Sequence, residues 1–157
     1  PGRVGPPIEP PPEDVVTYLR EWLEKDGYPF WSFWENIRTW WAIRDLPNVH
    51  LVHFEALKRD MPGEMRGIAG FLDASIDEDR WDAIVEHCTF DYMKRNAAAS
   101  VPLGGAFWDG GAETFIHKGI NGRWRDVLPH ALSEAYEAKA LAELGSDCAN
   151  WLATGAQ

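Results

Sequence analysis

The chain has 157 residues, 45% hydrophobic and 13% aromatic with nine tryptophans, enough apolar surface for one globular core but not comfortably for two. A formal charge of −10 excludes general affinity for nucleic acid or an anionic membrane, because either needs a basic face over most of the contact. The charge is uneven, however: between His87 and Arg125, Lys94, Arg95, Lys118, Arg123 and Arg125 outnumber Asp91, Asp109 and Glu113, so this stretch carries +2 and the remainder −12. A local anion site in an acidic protein fits that pattern.

Pro6, Pro7, Pro10, Pro11 and Pro12 cannot sit inside a helix or central strand, so residues 1–12 are expected to be an extended arm or linker. The chain starts at Pro1 without an initiator methionine, and the expectation is a processed product or a fragment of something longer. From Glu13, the spacing of Val15, Val16, Leu19, Trp22 and Leu23 predicts an amphipathic helix ending near Gly27. After Tyr28-Pro29, the residues Phe30, Phe33, Trp34, Ile37, Trp40 and Trp41 form a second helical stripe, read chiefly as core.

Val49-His50-Leu51-Val52-His53-Phe54, bounded by Pro47-Asn48, is predicted to be a buried strand whose ladder partners come from elsewhere. A segment around Leu57 follows, then a helix over 62–72 with Met65, Ile68, Ala69, Phe71 and Leu72 inward. Another helix covers 77–87 with Trp81, Ile84 and Val85 inward and Asp77 as its cap. Over 97–113 the periodicity gives way to Ala, Gly, Pro and Ser, which predicts a flexible lid. A final helix spans 131–144, ahead of a weak tail. No apolar run approaches the roughly 20 residues that cross a bilayer, and no membrane span is expected. Cys88 and Cys148 are too few for a disulfide framework, which makes a reducing cytoplasm the default.

Two segments carry chemistry. In Phe115-Ile116-His117-Lys118-Gly119-Ile120-Asn121-Gly122-Arg123-Trp124-Arg125, the glycines allow a close-approaching backbone whose amides can face an oxyanion, and His117, Lys118, Arg123 and Arg125 surround it with positive charge. The stretch reads equally as a phosphate cradle or as an ordinary basic turn. In His87-Cys88-Thr89-Phe90-Asp91-Tyr92-Met93-Lys94, a hydroxyl, an aromatic and a thioether could bind a phosphate and sandwich a flat base; Phe and Met three apart also suit a core.

The order of segments resembles the C-terminal half of the cytosolic-type sulfotransferases. The matching pieces are Tyr28 to Ser32 with Trp40-Trp41, Leu51 to Asp60, Ile68 to Leu72, Cys88-Thr89-Phe90 with Met93-Lys94, and His117-Lys118-Gly119 with Gly122 and Trp124. The resemblance implies an α/β fold, a P-loop-like parallel sheet flanked by helices, of which 13–157 is a mostly helical C-terminal portion. It implies 3′-phosphoadenosine 5′-phosphosulfate (PAPS) as co-substrate, no metal, and transfer of a sulfuryl group to a hydroxyl or amine of a small-molecule or lipid acceptor. By the same resemblance Cys88, Thr89, Phe90 and Met93 contact the adenosine and 3′-phosphate, while Phe115, Ile116, His117, Lys118 and Gly119 close around that phosphate.

The departures are specific. Phe54 stands where the family often has a tyrosine near the adenine, His117 replaces an arginine, and Arg123 replaces an aspartate. Phe33 and Asn36 fall on a helix similar to one bordering the acceptor pocket. Of the family's dimer motif, mapped to Arg125, Pro129, His130 and Glu134, only the charged ends remain. The family's sulfate-end loop and catalytic histidine lie in its N-terminal half, and no glycine-rich loop with Lys and Ser or Thr occurs here, so no catalytic residue is assigned and a partner supplying that half is expected. The alternative is a non-catalytic nucleotide-binding or interaction module derived from such a half-domain. A tryptophan-rich carbohydrate binder fits less well, because the tryptophans fall on helical core faces.

Overall fold

The computed structural model describes residues 10–27 and 30–156; most of the expected proline arm, and Tyr28-Pro29, lie outside the described residues. Its helices are α1 (Val15–Glu24), α2 (Phe33–Ala42), α3 (Phe54–Arg59), α4 (Met61–Phe71), α5 (Trp81–His87), α6 (Phe90–Arg95), α7 (Ala97–Ser100), α8 (Ala112–Phe115) and α9 (His130–Thr154), with short 3-10 turns at Glu78–Arg80, Pro102–Gly105 and Arg123–Asp126. The chain divides into two compact units. One takes the residues up to His53 and those from Arg123 on, the other Phe54–Gly122.

Among the described residues there is no β-strand, which corrects the strand expected at 49–54; these residues form the mostly helical portion expected and add no strand to the parallel sheet that the family resemblance implies. A strand exists only with a partner to complete its ladder, and none is present here. Residues 49–53 run as coil, and Phe54 instead opens α3. The imidazole of His53 packs edge-on to Trp151 at 5.3 Å and its Nε2 lies 3.0 Å from the Leu152 carbonyl, tying this coil to α9.

In the first unit, Asp14 caps α1 by accepting from the Thr17 amide at 2.8 Å. The chain then reverses through Asp26 and Gly27, both at positive φ (50° and 81°). That turn carries the Asp26 carboxylate to the start of α2. It accepts from the Phe33 and Trp34 amides, each at 3.1 Å, and from the Ser32 hydroxyl. Ser32 in turn accepts from the Glu35 amide at 3.0 Å, and its carbonyl takes the Asn36 amide at 3.2 Å, so the first four amides of α2 all have acceptors.

α2 packs on α9 around Trp34, Leu23, Leu132 and Ala140, with Val16, Leu19, Trp22, Phe33, Leu128, Tyr136 and Leu144 around them. Arg38 reaches Glu143 at 2.7 Å. The expected tail past Leu144 is a further helical stretch: α9 breaks at Gly145 (φ 74°, ψ 168°) and resumes through Thr154, burying Cys148 and stacking Trp151 at 5.4 Å from Trp41. The change of direction at Gly145 shifts the apolar phase, which hides the second half of the helix from a single periodic pattern.

In the second unit the core is small: Ala97, Val101, Ala112 and Ile116, with Phe90, Met93 and Trp108 against them. Asp60 caps α4 through the Gly63 amide at 3.0 Å, and Asp77 caps the turn before α5 through the Asp79 amide at 3.2 Å. Arg66 grips Glu78 with two bonds of 2.8 Å while its guanidinium lies 4.4 Å over Trp81. The inward stripe expected for these helices is only half realised. Met65, Ile68, Ala69, Trp81 and Val85 are half-buried, and Phe71, Leu72 and Ile84 are exposed, because α4 and α5 contribute no fully buried residue to the unit's core.

Burial alone would raise the Asp26 carboxyl, but the Ser32 hydroxyl, the Trp34 and Phe33 amides and the charge of Lys139 outweigh it and hold the group below the ordinary aspartate range. Asp26→Ala is expected to cost about 1–2 kcal/mol at neutral pH, the scale of a lost helix cap. With a depressed folded-state pKa, the carboxylate's contribution is present above the unfolded-state value and lost as pH falls through the folded one. The stability gap between wild type and Asp26→Ala should therefore close below about pH 4. Urea denaturation of both proteins at neutral and acid pH measures this; an undiminished gap in acid means that some other group starts α2.

Candidate functional site

Within the second unit, α5 ends at Cys88 and α6 starts at Phe90, with Thr89 as the cap between them. The Thr89 hydroxyl donates to the Glu86 carbonyl at 2.7 Å and accepts from the Tyr92 amide at 3.1 Å. Its one proton is therefore committed to Glu86, and a phosphate could receive it only by displacing that carbonyl. Cys88 is exposed beside it. From α6, Phe90 and Met93 turn to the core while Lys94 extends outward.

Ile116 is buried in the same core, and the chain leaves it as an exposed loop, 117–121. At Gly119 the backbone is left-handed (φ 61°), and a β-carbon there would come within 2.6 Å of the Phe90 ring. Lys94 Nζ donates to the His117 carbonyl at 3.0 Å and lies 5.8 Å from the Phe90 ring centroid. From α3, Lys58 Nζ donates to the Gly119 carbonyl at 3.0 Å, and Glu55 accepts from the side-chain amide of Asn121. The loop is thus held from two helices, leaving the His117 and Lys118 side chains exposed.

The structure brings together most of the residues expected for a nucleotide clamp. Thr89, Phe90, Met93, Ile116, His117, Lys118 and Gly119 form one continuous patch through the Phe90–Gly119 and Lys94–His117 contacts. Phe115 ends α8 half-exposed, its ring 4.5 Å from Trp108. Phe54 is exposed at the first position of α3, one turn before Lys58. Arg123 and Arg125 belong to the other unit, where Arg125 lies 4.6 Å over Trp124.

Phe33 and Asn36 are also in the first unit. Phe33 packs edge-on to Trp22 at 4.8 Å and Trp34 at 4.9 Å, whereas Asn36 is exposed. Among the described residues no three His, Cys, Asp or Glu side chains gather as a metal site, and no helix is long and apolar enough to cross a membrane. In the sequence Lys58 does not register as a site residue, and Lys94 registers only as one charge of the basic stretch. They fall in the segments that carry the family resemblance, yet the target of a long, flexible lysine is set by the fold.

The chain matches the sulfotransferase domain family model over residues 8–145. It is 30% identical to Sulfotransferase 2A6 of Rattus norvegicus over 126 residues, covering 80% of this chain and 44% of that protein. With Sulfotransferase 1B1 of Mus musculus the identity is 30% over 132 residues, covering 83% of this chain and 44% of the relative. The fold resembles that of mouse sulfotransferase SULT7A1, solved in complex with PAP, at a TM-score of 0.72 and 19% identity, over 92% of this chain and 53% of the other. The chain therefore spans about half the length of the relatives it matches. With the family model covering most of its residues, this chain belongs to the sulfotransferase domain family.

Proposed function

We propose that this chain supplies the adenine and 3′-phosphate clamp of a PAPS-dependent sulfotransferase acting in the cytoplasm, the remainder of the domain providing the sulfate-end loop and the catalytic base. The observation that carries this reading is the meeting of two segments distant in sequence, Thr89–Met93 and 115–119, at the Phe90–Gly119 contact beside an exposed lysine. Bound there, the donor supplies the sulfuryl group; this chain's residues bind and orient it. Lys118 provides a mobile cation for the phosphate, His117 a second donor, and the loop amides a neutral rim.

Phe90 is taken up with holding the loop. The exposed Cys88, Phe54 and Phe115 are accordingly the surfaces open to a flat base. Thr89 joins by turning its hydroxyl from Glu86 to the phosphate. The segment 97–113 is the lid: Ala97, Val101 and Ala112 anchor it in the core, while Leu103 and Phe107 between them stay exposed. On the acceptor side Phe33 sets the wall through its packing on Trp22, and Asn36 offers the polar contact to a hydroxyl or amine.

Lys118→Ala is expected to weaken binding of adenosine 3′,5′-bisphosphate roughly three- to tenfold, a charge-assisted hydrogen bond reduced by solvent screening. Calorimetry reads it, and an unchanged affinity removes the clamp. Gly119→Val behaves differently, lowering the thermal midpoint as well as the affinity, because its β-carbon collides with Phe90 before any ligand is involved.

A second expectation separates the enzyme part from a binding-only module. This chain, purified alone and given radiolabelled donor, should show no sulfuryl transfer, since no glycine-rich loop with Lys and Ser or Thr is present in it. Turnover at an ordinary enzyme rate would overturn the clamp-only assignment. The full-length natural protein should transfer the label to an acceptor; if it binds the nucleotide and never turns over, the non-catalytic module is the better description.

A further inference from the structure

We propose that Lys58 and Lys94 are positioning residues that aim the backbone of the 117–121 loop at the anion, acting on loop carbonyls rather than on the ligand. This inference rests on the clamp reading above. The two ammonium groups come from different helices, α3 and α6, and donate to the carbonyls on either side of Lys118: Lys94 to His117 and Lys58 to Gly119, each at 3.0 Å.

A trans peptide is planar, with its C=O and the following N–H pointing in opposite directions. Pinning the His117 carbonyl to Lys94 therefore turns the Lys118 amide hydrogen away from Lys94. Pinning the Gly119 carbonyl to Lys58 likewise turns the Ile120 amide away from Lys58. Among the described residues neither of these amides has a protein acceptor. Left free, the same carbonyls would present partial negative charge to an approaching phosphate, so each lysine both removes a repulsive dipole and orients an attractive one.

Gly119 makes this possible, because only a left-handed residue without a β-carbon lets the backbone turn between two pinned carbonyls while resting on Phe90. Asn121, bonded to Glu55 of α3, holds the far end of the loop against the same helix as Lys58. The site's selectivity for a 3′-phosphate thus depends on two cations that need not touch it.

The test uses the full-length natural protein and two probes, adenosine 3′,5′-bisphosphate and adenosine 5′-monophosphate, titrated by calorimetry into Lys58→Met, Lys94→Met, the matching Lys→Arg variants and Lys118→Ala. Each Met variant should lose several-fold affinity for the bisphosphate with the monophosphate unchanged. Each Arg variant, which can still donate to a carbonyl, should restore most of the loss. If the Met variants weaken both nucleotides equally, or Arg fails to restore the difference, the lysines are merely structural and the inference is overturned. Should Lys118→Ala collapse the bisphosphate preference while both Met variants keep it, the clamp stands and the positioning role falls. If Lys118→Ala also leaves the preference intact, the clamp reading itself is lost.

Discussion

A β-carbon at position 119 would have to share space with a benzene ring. The contact between Gly119 and Phe90 joins the start of α6 to a loop nearly thirty residues further on, and it works only because the residue lacks a side chain and tolerates a left-handed backbone. Everything in the candidate site follows from it. With the loop resting on Phe90, Lys94 on the same helix falls within reach of the His117 carbonyl, and Lys58 closes from α3 onto Gly119. What stays exposed is a histidine and a lysine side chain on a backbone held from both sides.

The first unit is organised by a similar economy of groups. One carboxylate, Asp26, placed by a left-handed turn, serves the opening amides of α2, and α2 in turn brings Trp34 into the centre of the aromatic core. Trp34 is almost wholly buried, and its indole N–H is left without an acceptor among the described residues, a cost of about 1–3 kcal/mol that the surrounding apolar packing has to offset. Burial among these rings also pushes the Tyr136 phenol above its ordinary range.

Short helices without a ladder make small cores. Large apolar side chains remain outside in both units, among them Trp31, Trp40, Phe54, Leu72 and Phe107, more than scattered surface residues require. The chain spans about half the length of its relatives. In the proposed assembly these side chains, and the coil at 49–53 that has the composition of a strand, are what the remaining part of the domain would cover. The β-branched residues at 49 and 52 express a preference that needs a neighbouring strand to be realised.

Local structure was legible in the residues themselves. The helices at 15–24, 33–42, 61–71 and 81–87 follow from apolar spacing, and the cap at Asp77 from a side chain able to accept from a free amide. The segments of the proposed clamp were legible as an ordered set, because glycine, lysine and aromatic residues at those spacings already limit what the backbone can do. Periodicity could not show that Asp26 reaches forward to α2, that α9 breaks and resumes at Gly145, or that 49–53 stays a coil, since each depends on a partner distant in sequence. Which carbonyls Lys58 and Lys94 would seize was likewise decided only by tertiary structure: a four-carbon side chain sweeps a wide volume, and its hydrogen bond forms wherever packing leaves an unpaired acceptor within reach.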